Sequence, residues 1–218
     1  IDELRLRQNE TAFLVFDDVE EDPSTNTVEK GVAMMNDFKP DTIIALGGGS
    51  PMDAAKAMWM FYEHPETSWY GVMQKYLDIR KRAYQIKKPT KSQLIGIPTT
   101  SGTGSEVTPF AVITDSKTHV KYPLADYALT PNIAIVDSQF VETVPPKTTA
   151  YTGLDVLCHA TESYVSVMAT DYTRGWSLQT IKGVMKYLPN SVKGNKLARR
   201  KMHDFSTMAG AAFGQAFL

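Results

Sequence analysis

The chain has 218 residues, 43% of them hydrophobic and 22% charged, and a formal net charge of -1, enough apolar material for one large domain or two small ones. The balanced charge leaves no electrostatic footprint for nucleic acid or a membrane surface, and no apolar run approaches the ~20 residues that span a bilayer. A single cysteine, Cys158, excludes an internal disulfide framework and fits a reducing compartment, with the cytoplasm as the default.

The first predicted element is a strand at Thr11 to Phe16 (TAFLVF). Asp22-Pro23-Ser24 then breaks the chain, and Val28, Val32 and Met35 mark the buried face of a helix that ends near Lys39-Pro40. Thr42 to Leu46 (TIIAL) reads as a strand whose unbroken apolarity predicts burial on both faces of a sheet. A helix is expected over Pro51 to Tyr62, with Ser50 as N-cap, Pro51 first and Asp53 third. Its cluster Met58-Trp59-Met60-Phe61-Tyr62 reads as packing. The most basic stretch, 80–88 (RKRAYQIKK), reads as a solvated helix end.

Further strands are predicted at Gln93 to Ile97, Phe110 to Thr114 and Asn132 to Val136, with His119 in a hairpin at Ser116 to His119. Short apolar runs alternating with helices are the signature of a parallel sheet. After Val144-Pro145-Pro146 the pattern becomes wholly helical, with segments near Lys147 to Met168, Asp171 to Leu188 and Leu197 to Leu218. Proline resists continuing an element, so an α/β domain over 1–145 and an all-helical domain over 146–218 are expected. The start at Ile1 and the stop at Leu218 inside an apolar helical run read as ends cut from something longer.

Three motifs offer chemistry. Gly47-Gly48-Gly49-Ser50-Pro51-Met52-Asp53 lies between a strand and a helix, where glycines admit a bulky anion to the backbone and the helix N-terminus favours phosphate. It is neither the common dinucleotide fingerprint, since Met52 stands where the third glycine would be, nor a P-loop; a tight turn without a ligand is the alternative. The loop Pro98 to Glu106 (PTTSGTGSE) also follows a strand, and open sheets bind ligands beyond the carboxyl ends of their strands. Asp155 and His159 sit four apart on a helix, so both reach one divalent cation, with Glu162 further along that face. Two ligands are too few for a catalytic metal, and a capping Asp beside an ordinary histidine is the competing reading. His64, His119 and His203 read as surface or packing histidines, and Cys158 as core.

The three motifs in this order, with YEHPE, DIRKR, VTPFAVITD, KYPLADYALTPNIAIVD, GLDVLCHATESYVSV and AGAAFGQAFL, resemble the iron-containing (group III) alcohol dehydrogenase family over essentially the whole chain. The likeness is strongest to the alcohol dehydrogenase half of bifunctional aldehyde-alcohol dehydrogenases. It implies an N-terminal domain that binds NAD across a parallel sheet and a helical domain that holds a divalent metal, Fe2+ or Zn2+. By that resemblance Gly48, Gly49, Ser50 and Asp53 would lie along the pyrophosphate. Thr99, Thr100, Thr103, Phe110 and Lys121 would line the rest of the cofactor cleft, and Asp155 and His159 would be the first two metal ligands. The implied reaction is hydride transfer between a short primary alcohol or aldehyde and NAD(H), in a protein that forms a dimer or filament. Two further histidine ligands of the family would follow AGAAFGQAFL, and the strand carrying its ribose-binding acid would precede Ile1. The alternative from another class is a non-catalytic nucleotide-binding or filament-assembly module; glycerol-type and sugar-phosphate relatives are disfavoured by the TTSGTGSE loop.

Overall fold

The computed structural model describes residues 11–72 and 86–217. Helix α1 (Thr25–Phe38) starts where the Ser24 side chain accepts the Thr27 N–H, and it stops at Lys39 in the left-handed conformation. Strand β1 (Thr42–Gly47) leads into helix α2 (Gly49–Glu63), and strand β2 (Gln93–Pro98) returns parallel to β1, Thr42 opposite Gln93 through Gly47 opposite Pro98. The Glu63 carboxylate fixes the entry to β2 by accepting the N–H groups of Thr90, Lys91 and Ser92 at 2.9, 2.9 and 2.7 Å. Strands β3 (Phe110–Thr114) and β4 (Lys121–Ala125) pair antiparallel, and the short strand β5 (Ile133–Ala134) lies parallel beside β2.

Helices α3 (Pro146–Val165), α4 (Asp171–Val192) and α5 (Lys196–Ala216) complete the chain. Arg199 on α5 ties the two halves: its guanidinium donates to the carbonyls of Val141, Glu142 and Val144 at 2.6, 2.8 and 2.8 Å, just before α3 begins. One core gathers Val28, Met58, Met60, Ile113 and Leu124 between α1, α2 and the β3–β4 ribbon. A second packs Met52 and Trp59 of α2 under Ile43, Ala45 and Leu94 of the sheet, and a third holds Val156, Val184, Met202 and Phe205 within the helices. Each such side chain contributes roughly 1.5–3 kcal/mol by burial. The packing role expected for Met58 to Tyr62 is what the structure shows.

Several expectations are corrected. Thr11 to Phe16 forms no strand, and among the described residues no strand runs beside it to satisfy its backbone groups. Strand β1 is buried on one face only, with Ile44 and Leu46 each 52% exposed, so its apolar run records a sheet face left open by the described residues. Phe110–Thr114 joins an antiparallel ribbon with β4, an element hidden by the polar and proline content of KYPLA, and Asn132 to Val136 shrinks to two paired residues. Helix α2 begins at Gly49 with Gly48 as N-cap, two residues before the expected start, and no side chain caps it. Cys158 is exposed, because the inner face of α3 is set by Gly153, Val156 and Ala160. The 78–82 segment DIRKR and most of the basic stretch lie outside the described residues.

Candidate functional site

Because β1 and β2 run parallel in register, the glycine turn after one and the threonine-rich loop after the other emerge at the same carboxyl edge. The Thr99 N–H donates to the Gly47 carbonyl at 2.9 Å, fastening the two at their base. Gly47 has φ +157° and an added Cβ there would lie 2.7 Å from the Pro51 ring, so only glycine makes this turn into α2. Above it, Cβ atoms at Gly48 and Gly49 would come within 3.3 and 2.9 Å of the methyl groups of Thr100 and Thr103. The glycines therefore let the two loops close on each other as well as baring the backbone, and Gly48, Gly49, Ser50, Thr99, Thr100 and Thr103 all stay half-buried, within reach of solvent.

The first turn of α2 lies in this corner without a side-chain cap, so its N–H groups and positive dipole end are available to an anion. Ser50 points outward enough for its Oγ to accept the Asp22 N–H at 3.3 Å, and Asp22 in turn pairs with Lys121 at 2.6 Å. Lys121 thus borders the corner through Asp22, a residue that the sequence reading missed; its signal was only the Asp-Pro break, and its φ of 56° marks a turn. Asp53, expected along the pyrophosphate, turns into the protein instead. Its carboxylate accepts Ser105 Oγ–H at 2.7 Å and Val112 N–H at 2.9 Å, and burial raises its pKa against the pull of Lys56 and those two donors.

The second loop continues into the helical half. Gly104, at φ +62°, lies so close to α5 that its Cβ would sit 2.6 Å from the Gly210 Cα, and a Gly210 Cβ would sit 2.7 Å from the Gly104 carbonyl oxygen. Around this backbone contact, Thr207 Oγ1 donates to Glu106 Oε1 at 2.6 Å and Ser101 Oγ meets His203 Nδ1 at 3.1 Å. His203 is buried, 1% exposed, and burial lowers its pKa; its neighbours of basic residues had suggested an ordinary surface or packing role.

Phe110, whose carbonyl accepts from Lys56 of α2, leads toward the third motif. Its ring stacks on Phe213 of α5 at 5.9 Å and meets Phe217 edge-on at 5.2 Å, while Phe213 lies 4.5 Å from the His159 ring. On α3, Asp155 Oδ1 and His159 Nε2 approach to 3.5 Å across one turn, as the spacing of four requires. His159 Nδ1 is buried with no hydrogen-bond partner, an acceptor or donor left for something else. Glu162 is exposed and does not join them, and among the described residues no group of three or more His, Cys, Asp or Glu converges. The pair fits a divalent cation as two members of a donor set rather than as a complete one.

A model of the iron-containing alcohol dehydrogenase family matches residues 2–138, and one of the C-terminal part of the Fe-containing alcohol dehydrogenase family matches 149–218. Aldehyde-alcohol dehydrogenase 2 of Entamoeba histolytica is 58% identical over 221 residues, covering 100% of this chain and 25% of that protein. The solved iron-containing alcohol dehydrogenase from Thermococcus thioreducens superposes with a TM-score of 0.90 at 33% identity, over 99% of this chain and 56% of that one. Sulfoacetaldehyde reductase from Bifidobacterium kashiwanohense, solved in complex with NAD+, superposes at 0.82 with 32% identity, over 99% of this chain and 56% of that one. The chain spans about a quarter of the curated relative and about half of the solved ones. On the strength of family models that together run through both halves, and of this shared fold, the chain belongs to the iron-containing alcohol dehydrogenase family.

Proposed function

We propose that this chain carries the dinucleotide corner and two metal ligands of an alcohol dehydrogenase that moves a hydride between a short primary alcohol or aldehyde and NAD(H). The observation that supports it most is the juxtaposition of two glycine-bearing loops, closed on each other at the sheet edge, the second of which packs through Gly104 on the helical half that carries the Asp155–His159 pair. In this reading residues 1–145 form the dinucleotide domain and 146–218 open the metal domain. The backbone of Gly48, Gly49 and Ser50 at the start of α2 would receive the pyrophosphate, Thr99, Thr100 and Thr103 would flank it, and Lys121 would supply positive charge at the rim. Phe110 would wall the cleft and exclude water from the reacting end. Asp155 and His159 would hold Fe2+ or Zn2+. A cation there supplies Lewis-acid polarisation of the alcohol or carbonyl oxygen, and the nicotinamide exchanges the hydride. The sulfoacetaldehyde reductase relative was solved with NAD+, while a butanol dehydrogenase of Clostridium saccharobutylicum that is 48% identical over 200 residues is NADPH-dependent, so competition between NAD and NADP decides the cofactor.

The test is made on the polypeptide as its gene encodes it. Metal-dependent NADH oxidation with acetaldehyde is expected, and Asp155→Ala or His159→Ala abolishes it; activity that survives both removes the metal assignment. A second reading, a nucleotide-binding or self-assembling module without turnover, draws on the absence of a three-donor cluster among the described residues. Dinucleotide binding and self-association by the encoded polypeptide, without turnover at any Fe2+ or Zn2+ concentration, favours it. Among the described residues no helix is long and apolar enough to cross a membrane.

A further inference from the structure

Lys56, on the third turn of α2, is completely buried, the least expected place for a lysine. Its ammonium donates at 2.8 Å to each of Ser105 Oγ, the Thr108 carbonyl and the Phe110 carbonyl, which accounts for all three hydrogens, with Thr108 Oγ1 further off at 3.3 Å. These partners lie 49 to 54 residues along the chain, all on the segment that links the second loop to β3. The acidic groups facing it are Asp53, from its own helix, and Glu106, from the loop. Ser105 stands between the two signs of charge, accepting from Lys56 and donating to Asp53 at 2.7 Å, and Glu106 is held from the other side by Thr207 of α5 at 2.6 Å. The result is one buried polar chain running from α2 through the loop to α5.

Burying an ammonium is costly, and here burial depresses Lys56 to about 8 while the charges of Asp53 and Glu106 hold it up. At neutral pH it is still mostly charged. Such a group persists where its hydrogen bonds fix something that packing alone leaves loose. A loop of Thr, Ser and Gly has little apolar surface to hold it, and Lys56 supplies the anchor.

We propose that Lys56 is a positioning residue for the cofactor cleft. Without touching a ligand, it holds Ser105, Thr108 and Phe110 so that Thr103 stays against Gly49 of the corner and the Phe110 ring stays stacked on Phe213, and Asp53 and Glu106 serve this anchor. The part concerning ligand affinity rests on the dinucleotide reading above; the part concerning loop order does not.

Two arms test it on the polypeptide as its gene encodes it. Amide hydrogen exchange in Lys56→Met and in the milder Ser105→Ala is expected to accelerate over 99–112 by roughly tenfold or more while α3 and α4 keep their protection. In parallel, titration with NAD is expected to show affinity weakened by roughly tenfold in both. Val184→Ala, a core change in the helical half, serves as the control for general destabilisation, with affinity kept. Unchanged exchange over 99–112, or acceleration spread evenly over the chain, overturns the positioning role. If the unsubstituted chain binds no NAD, the dinucleotide reading fails, and the exchange arm alone decides the role of Lys56. If it binds and both variants bind equally well, the effect on affinity is refuted.

Discussion

The glycine corner and the Asp155–His159 pair are built differently. At the corner the charged groups beneath the surface are answered from within the chain: Lys56 uses every hydrogen, Asp53 has a donor on each oxygen, and Glu106 is held by Thr207, while behind Ser101 only His203 Nε2 among these side chains has no partner. At the pair, two donors converge at 3.5 Å and a buried ring nitrogen of His159 has no partner. A braced corner keeps its loops in place before any ligand arrives, whereas Asp155 Oδ1 and His159 Nε2 converge without a third group between them, and the orphaned His159 Nδ1 lies on the other side of the ring. The candidate dinucleotide corner and the candidate metal pair are thus braced to different degrees in the same fold.

The largest expected effect falls where the corner meets the helices. Gly104→Val places a side chain into the Gly210 backbone at a positive φ, and strain plus overpacking should cost roughly 3 kcal/mol or more in urea unfolding. A loss below about 1 kcal/mol shows that the loop and α5 can part, and the contrast between a rigid corner and an open pair weakens. The opposite is predicted at the metal pair. His159→Ala removes an unsatisfied buried nitrogen, so stability should move by no more than about 1 kcal/mol, in either direction, while metal binding is lost. A large destabilisation there means the ring is a packing element first.

The smallest effect is a pH dependence. Burial lowers the pKa of His203 from its usual 6.5, so the unfolded chain takes up the proton first as acid is added. Stability should be full above about 6.5 and fall as the pH drops below it, until the folded histidine also titrates. His203→Gln should flatten thermal midpoints across that window. An equally steep decline in the variant assigns the acid sensitivity to other groups.

Much of this was legible from local pattern. The strand-turn-helix around Gly47 to Ser50 was readable because an apolar run, a glycine cluster and a proline in the first turn of a helix are all short-range signals, although the helix starts two residues earlier than proline alone suggests. The Asp155–His159 face was readable because a spacing of four is a property of the helix alone. What escaped depends on contacts far apart in sequence. Nothing near Lys56 announces that its partners lie beyond residue 104, and nothing near His203 announces Ser101. The apolar run of β1 looked doubly buried because composition does not say which neighbours cover a face, and Ile44 and Leu46 remain exposed. Asp53 sits in a phosphate-like motif, but its direction is decided by Ser105 and Val112 on other elements.

The central claim, that the two loops form one dinucleotide site, is tested most directly by calorimetric titration of NAD into the polypeptide as its gene encodes it and into its Gly49→Val variant. The added side chain would press on Thr103, whose methyl lies 2.9 Å from a Cβ at that position, and part the loops. The account predicts saturable binding to the unsubstituted chain and affinity lower by roughly tenfold or more in the variant. Equal binding by the two, or none by the unsubstituted chain, contradicts it.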